Sequence, residues 1–274
     1  MYKHLALPLC LLLFLAFASP ALARSDGLKI IAGTSLIEDI VSDLTGGRAE
    51  ILTMIKGSSC PGHENIKTSD FVFAAKADLV LIHAFQKDMP QLTSQMGSVG
   101  NEKLRLVILE PKGSWLIPEI QKQAVSDIAE ILAGAAPGDA AKIRERAAAR
   151  LEKIDLAGAE NLKLLAAIQG KPVAVAGMQS EFIRWAGLDV LLSYKRAEEM
   201  TPRDVARAID ELRGRRPAGI VDNYQSGPDA GLPLALELKV PHLVISNFPG
   251  FNDVTPDYFS LLRYNVDQLL KLGG

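Results

Sequence analysis

The sequence predicts an α/β protein in which two parallel-sheet lobes are joined by a long rigid helix. Short runs rich in valine, isoleucine and leucine alternate with segments of helical period, which is typical of strand–helix–strand units in parallel sheets. Residues 118–168 show almost no strand pattern and are rich in alanine, leucine, lysine, glutamate and arginine. The alternation resumes after Gly170, so a second lobe of the same kind is expected beyond the helical stretch.

The individual elements follow from apolar runs, capping residues and glycine or proline stops. Pro137-Gly138 divides the central stretch into two helices, and Gly158 is a candidate bend in the second one. The predicted boundaries are residues 24–136 for the first lobe, 137–169 for the connecting helix and 170–274 for the second lobe. Strands are expected at residues 28–32, 49–55, 78–82, 104–109, 173–176, 189–194, 219–221 and 242–245. Helices are expected at residues 35–44, 68–76, 118–136, 139–168, 202–213, 232–238 and 256–272.

The first residues predict export. Lys3 precedes an apolar run over residues 5–18, and an Ala-Leu-Ala triplet ending at Ala23 matches the pattern that signal peptidase recognises. The run is too short for a permanent transmembrane helix. We therefore expect a cleaved signal peptide at residues 1–23 and a mature chain in the periplasm. Its single cysteine, Cys60, has no partner for an internal disulfide.

Composition and motifs exclude several classes of function. The formal net charge of −2 gives no basic surface, so a nucleic-acid partner is not expected. Aromatic residues make up 6% of the chain, which argues against a carbohydrate or peptide groove lined with stacking rings. The sequence contains no G-x-S-x-G elbow, P-loop or H-E-x-x-H motif. We therefore expect a binding protein and not an enzyme.

Candidate ligand residues follow the predicted strands, because ligands bind beyond the carboxyl ends of strands in open parallel sheets. Cys60, His63 and His83 follow strands of the first lobe, and a thiolate with two imidazoles suits zinc and also copper. His242 begins its strand, so a structural role is expected there. The alternative role for Cys60 is that of a buried structural thiol. The alternative for His83 is a hydrogen bond to a neighbouring carbonyl. The second lobe offers four further candidates at its strand ends: Met178, Gln179, Asp222 and Asn247.

Several segments, taken in order, resemble the periplasmic metal-binding solute-binding proteins of zinc and manganese ABC importers. They are IIAGTSLIED at residues 30–39, the loop at 56–70, AAKADLV at 74–80, Trp115-Leu116 before Pro118, and LRYN at 262–265. The resemblance implies two lobes joined by a long rigid helix, a metal held between them, and a monomer. It also implies an ABC-importer membrane permease as the partner.

The metal ligands of that family match this chain only in part. His63 matches the first histidine, whereas the second ligand falls near Gly113 or Ser114. The third ligand falls near Ala176, and the terminal aspartate falls near Asn247. The resemblance therefore implies an altered metal site.

Two hypotheses for function follow. In the first, Cys60, His63 and His83, with help from the second lobe, capture a transition metal for the importer. Their soft donor atoms favour zinc, with Cu(I) as an alternative, over manganese. In the second, the scaffold serves a non-metal ligand or a partner protein, and Cys60 is structural.

Overall fold

The computed structural model describes residues 27–60, 67–89 and 99–273 of the chain. The predicted signal peptide and His63 lie outside these residues. Within them, eight strands alternate with helices along the chain. The strands are β1 (Lys29–Thr34), β2 (Glu50–Ile55), β3 (Leu79–His83), β4 (Arg105–Leu109), β5 (Pro172–Ala176), β6 (Asp189–Tyr194), β7 (Gly219–Asn223) and β8 (His242–Ile245).

The α-helices of the described residues surround these strands. They are α1 (Ser35–Thr45), α2 (Thr68–Ala74), α3 (Pro118–Ala135), α4 (Ala140–Leu165), α5 (Ser180–Trp185), α6 (Pro202–Arg213), α7 (Leu232–Leu238) and α8 (Tyr258–Leu270). The short helix α5 was not expected from the sequence. Strand β7 runs two residues beyond its predicted end, because Asp222 and Asn223 still pair with β8.

The strands form two four-stranded parallel sheets, ordered β2-β1-β3-β4 and β6-β5-β7-β8. This confirms the predicted fold class of two parallel-sheet lobes. In each sheet the second strand along the chain pairs on one side of the first strand, and the next two strands are added on the opposite side. The crossing lies between β1 and β3 in the first sheet and between β5 and β7 in the second. Such topological switch points open a crevice at the carboxyl ends of the strands, where ligands bind in this type of sheet.

Helix α1 shows how local sequence sets an element beside the first switch point. Its apolar residues recur with helical spacing, and Ile37, Ile40 and Leu44 are fully buried. Gly46 ends the helix in the left-handed region with φ 64°, which a residue without a Cβ adopts readily. The helix therefore turns a buried face to the sheet directly after β1.

Helix α4 is the long connecting element that the sequence predicts. Its 26 residues correspond to roughly 39 Å at 1.5 Å per residue. The helix continues through Gly158, where an added Cβ would lie 3.0 Å from Pro118 Cγ at the start of α3. The glycine therefore allows α3 and α4 to approach closely. Among the described residues, no helix has both the length and the apolar character needed to cross a membrane.

One hydrophobic core reaches both sheets. It includes Ile30 and Leu81 from the first sheet, Val175 and Val221 from the second, and Ile154 from α4. All five side chains are fully buried. Two smaller clusters cover the outer faces of the sheets. The lobes therefore share their principal core, and the cleft between them has a packed base.

Candidate ligand cleft

A cavity of about 500 Å³ lies where the carboxyl ends of the two sheets face each other. Residues from both lobes contribute to its wall, and most of that wall is apolar. The chemically important lining residues are Cys60, His83, Lys112 and Trp115 from the first lobe, with Met178, Glu181, Arg196, Asn223, Gln225, Ser226 and Asn247 from the second. The cavity therefore matches the position expected for a ligand at the switch points of both sheets.

Cys60 lies half-buried in the loop after β2 and lines this cavity. The start of its loop is held against the second lobe, because Gly57 O accepts a 2.8 Å hydrogen bond from Gln225 Nε2. A Cβ on Gly57 would lie 2.1 Å from Pro249 O, so only glycine fits this approach between the lobes. His63, three residues after Cys60, lies outside the described part of the chain.

His83 ends β3 and forms part of the aromatic wall of the cavity. Its ring centroid lies 4.0 Å from that of Trp115 and 5.2 Å from that of Phe85. The Nε2 atom lies 2.7 Å from Thr34 Oγ1, which fixes the ring at the crossing between β1 and β3. Burial lowers the pKa of His83 to about 3, so the imidazole is neutral at neutral pH.

The structure brings two of the four second-lobe candidates to the cavity. Met178 follows β5 and is half exposed at the wall, and Asn247 follows β8. The Asn247 backbone N–H donates to Gln225 Oε1 at 3.0 Å, and Gln225 Nε2 also donates to Ser246 Oγ. Gln225, which follows β7, therefore joins the loop of Cys60 to the loop after β8.

Gln179 and Asp222 do not line the cavity. Gln179 is fully buried, and its side-chain atoms have no hydrogen-bond partner among the described residues. Asp222 is also fully buried and accepts hydrogen bonds from Tyr194 Oη at 2.7 Å and from Gly231 N at 2.8 Å. Its Oδ2 lies 2.6 Å from His242 Nε2. Asp222 and His242 therefore belong to a polar cluster inside the second lobe.

Asn223 is a cavity residue that the sequence argument did not select. Its side chain is almost fully buried, and Oδ1 accepts the backbone N–H groups of Gln225 at 2.7 Å and Ser226 at 3.2 Å. Those two bonds identify the other side-chain atom as nitrogen, and Nδ2 has no partner within the described ranges. The rule about strand ends covers this segment, but the sequence-based selection took the neighbouring Asp222.

Charged groups at the cavity come from both lobes. Lys112 and Arg196 contribute cations, and Glu181 is the acidic residue of the described lining. Glu181 Oε2 accepts the Ser114 backbone N–H at 2.7 Å, which links α5 to the segment before α3. The unpredicted helix α5 therefore positions the one described carboxylate at the cleft.

The described residues offer few metal-binding side chains in one place. Among residues 27–60, 67–89 and 99–273, no group of three or more histidine, cysteine, aspartate or glutamate side chains is arranged to hold a metal ion. Cys60 is exposed to the cavity, whereas His83 already has Thr34 beside one ring nitrogen. The described wall therefore supplies only part of a coordination shell.

A long helix that joins two parallel-sheet lobes, with a cavity between their strand ends, defines the two-lobed class of solute-binding proteins. The family model described as ZnuA, zinc-uptake complex component A, periplasmic, matches residues 30–272. The chain therefore belongs to this family, and the resemblance found in the sequence is confirmed.

Solved structures share the fold at low sequence identity. A Mn-bound periplasmic metal-binding protein from Candidatus Liberibacter asiaticus is 15% identical, with a TM-score of 0.76 over 90% of this chain and 100% of that chain. The Cd-bound form of that protein gives 16% identity and the same TM-score and coverage. The periplasmic zinc-binding protein TroA from Treponema pallidum is 14% identical, with a TM-score of 0.75 over 90% of this chain and 99% of that chain. No curated protein matches this chain.

Proposed function

We propose that this chain is the solute-binding component of an ABC importer that captures zinc between its lobes and delivers it to a membrane permease. The observation that carries the proposal is the position of Cys60, which lines a cavity between the strand ends of both lobes. Membership of a periplasmic zinc-uptake family supports it, as do the manganese, cadmium and zinc that similar folds hold.

The proposed metal ligands are Cys60, His63 and His83, with Met178 and Asn247 at the opposite wall. A thiolate and imidazoles suit zinc, whereas manganese prefers oxygen ligands. The thioether of Met178 makes Cu(I) the alternative metal. Capture requires coordination alone, with no catalysis. The Cys60 thiol loses its proton when it coordinates the metal, so affinity decreases as the pH falls. We propose a monomer that is exported by a cleaved signal peptide and has no nucleic-acid partner.

The test is elemental analysis of protein purified from the periplasm, followed by titration of the metal-free protein with zinc. We expect a stoichiometric metal in the native protein. Cys60→Ser and His63→Ala should each weaken zinc binding by more than about tenfold, equivalent to about 1.4 kcal/mol. His242→Gln is the matched control, because this histidine contacts Asp222 and does not line the cavity. Tight binding that survives both cavity substitutions would refute the proposed ligands.

A second candidate function is capture of a ligand without metal. It is favoured by the mainly apolar cavity of about 500 Å³ and by the lack of a three-residue metal cluster in the described ranges. Thermal denaturation with a panel of metals and small organic anions separates the two functions. A ligand present at a hundred times its Kd stabilises the folded state by about 2.7 kcal/mol. Stabilisation by a metal-free compound, with none by any metal, would establish the second function.

A further inference from the structure

The size of the cleft is greater than a bare metal ion requires. Zinc lies only about 2.0–2.3 Å from its protein ligands, so a site built for the ion alone leaves little free volume around it. The cavity here measures about 500 Å³, which lies within the range of roughly 300–1,000 Å³ found for small-molecule sites. The occupant is therefore expected to contain more atoms than one ion.

The second-lobe wall offers hydrogen-bond donors where a bare cation would need electron-pair donors. Asn223 Nδ2 is buried without a partner in the described chain, and its orientation is fixed because Oδ1 already accepts two backbone N–H groups. A buried, unsatisfied donor is costly, so this amide is expected to meet an acceptor atom of the ligand. An NH₂ group cannot coordinate a metal, but it can bind an oxygen that does.

The charges of the described lining also favour an anionic occupant. Arg196 is half-buried in the wall and has no ion pair among the described residues, and Lys112 adds a second cation. Glu181, the opposing charge, accepts the Ser114 backbone N–H and is exposed. Guanidinium groups bind carboxylates in a bidentate geometry. The described part of the wall therefore carries more cationic than anionic side chains and offers donors that recognise carboxylate oxygens.

Building on the proposed function, we propose that the cleft takes up its metal as an anionic complex with a small carboxylate-bearing chelator. Chelator oxygens accept hydrogen bonds from Asn223 and Arg196, and Cys60 completes the coordination of the metal from the first lobe. The Cys60 thiol gives its proton to solvent as the sulfur–metal bond forms. The chelator supplies the ligands that the described protein residues lack, which accounts for both the incomplete ligand set and the large cavity.

Trp115 provides a direct probe of occupancy, because it lines the cavity and contacts His83. The chain has two tryptophans, so Trp185→Phe leaves Trp115 as the single reporter. The full mature protein, stripped of metal, is titrated with zinc alone, with citrate or nitrilotriacetate alone, and with the zinc complex of each chelator. Calorimetry of the same titrations gives stoichiometry. We expect the anionic complexes to bind at least about tenfold more tightly than zinc alone or either free chelator.

Two substitutions separate recognition of a complex from direct coordination of an ion. Asn223→Asp keeps an oxygen for the Gln225 and Ser226 N–H groups but replaces the free donor with a carboxylate oxygen. It should weaken binding of the complex by about tenfold or more, whereas a directly coordinated zinc ion would bind more tightly. Arg196→Gln should weaken the complex by a similar factor, in line with loss of a charge-assisted hydrogen bond. Arg203→Gln, an exposed arginine of α6 outside the lining, is the matched control and should have no effect.

The outcomes distinguish this inference from the proposed function. Zinc alone binding as tightly as its complexes would overturn the inference and leave zinc capture intact, as would tighter zinc binding by Asn223→Asp. Free chelator binding as tightly as the complex would overturn the role of the metal. Absence of binding by zinc in every form would overturn both proposals. Arg196→Gln at the half-exposed wall keeps the test decisive if Asn223→Asp does not fold.

Discussion

His83 lies in an environment that keeps its imidazole uncharged. The ring is buried against Trp115 and lies beside Thr34 Oγ1, and burial lowers its pKa from 6.5 to about 3. In the unfolded chain His83 gains a proton below pH 6.5, whereas in the folded chain it stays neutral down to about pH 3. The unfolded state is therefore favoured progressively as the pH falls through this window, by up to about 1.4 kcal/mol per pH unit.

We expect the free energy of unfolding of the metal-free protein to fall between pH 6.5 and pH 4, and His83→Gln to reduce the slope. The measurement is urea denaturation followed by circular dichroism at several pH values, with a chelator present to remove metal. Glutamine is neutral and polar, so it provides a matched side chain that does not titrate. Identical pH slopes in the two proteins would contradict the assigned neutral state.

Residue types and strand ends predict part of the cleft, but they do not determine which side chains face it. Cys60, His83, Met178 and Asn247 all line the cavity, as the strand-end rule requires. Asp222 and Asn223 are adjacent at the end of β7, and successive side chains of a strand point to opposite faces. Only the exact end of the strand decides which of the two faces the cleft, and the sequence places that end two residues early.

Helix α4 is held to the rest of the protein by a partly buried charge cluster around Arg150. Arg150 is almost fully buried. It donates hydrogen bonds to Asp39 and Asp43 of α1, and the bond to Asp43 Oδ2 measures 2.8 Å. Asp39 Oδ2 also accepts the backbone N–H of Tyr258, the first residue of α8. One carboxylate therefore joins α1, α4 and α8 at the base of the cleft.

We expect Arg150→Met to lower the free energy of unfolding by about 3–5 kcal/mol, because it leaves Asp39 buried without its cation. The double variant Asp39→Asn with Arg150→Met should lose less free energy of unfolding than the sum of the losses in the two single variants. The reason is that the double variant no longer contains the unpaired charge. Urea denaturation measures both values. Arg144→Met is the control on the same helix, because the Arg144–Glu130 pair is exposed and its loss should have little effect. Additive losses at Asp39 and Arg150 would contradict the proposed coupling.

Elements with a clear cap or a recognisable apolar run in the sequence are predicted well, whereas the short helix α5 is not. The bounds of α6, α7, β6 and β8 agree with their sequence predictions. Helix α6 begins at the proline after Thr201, whose side chain accepts the Asp204 backbone N–H. Helix α5 has only six residues, too few to establish a helical period. Its position is set by packing, since Phe182 and Ile183 are fully buried in the shared core. Tertiary contacts therefore determine the helix that carries Glu181.

At the scale of the whole molecule, the lobes are connected both at the base of the cleft and at the wall of the cavity. At the base, Tyr258 Oη donates to Leu116 O, and Ser35 Oγ donates to Pro249 O at 2.7 Å. At the cavity wall, the buried side chain of Gln225 joins Gly57 of the first lobe to Ser246 of the second. Combined with the shared hydrophobic core, these contacts favour small adjustments of the cleft over wide separation of the lobes.

The shared core also predicts that both lobes unfold as one cooperative unit. Trp115 reports on the first lobe and Trp185 on the second, so the variants Trp185→Phe and Trp115→Phe each leave a reporter in one lobe. We expect the urea transitions followed by fluorescence of each variant to coincide with the transition that circular dichroism gives for the same variant, as two-state unfolding requires. Lobes with separate cores would instead unfold at different urea concentrations, since neither would lose buried apolar surface when the other unfolded. Two resolved transitions would therefore show that α4 acts as a linker between independent lobes and not as part of a common core.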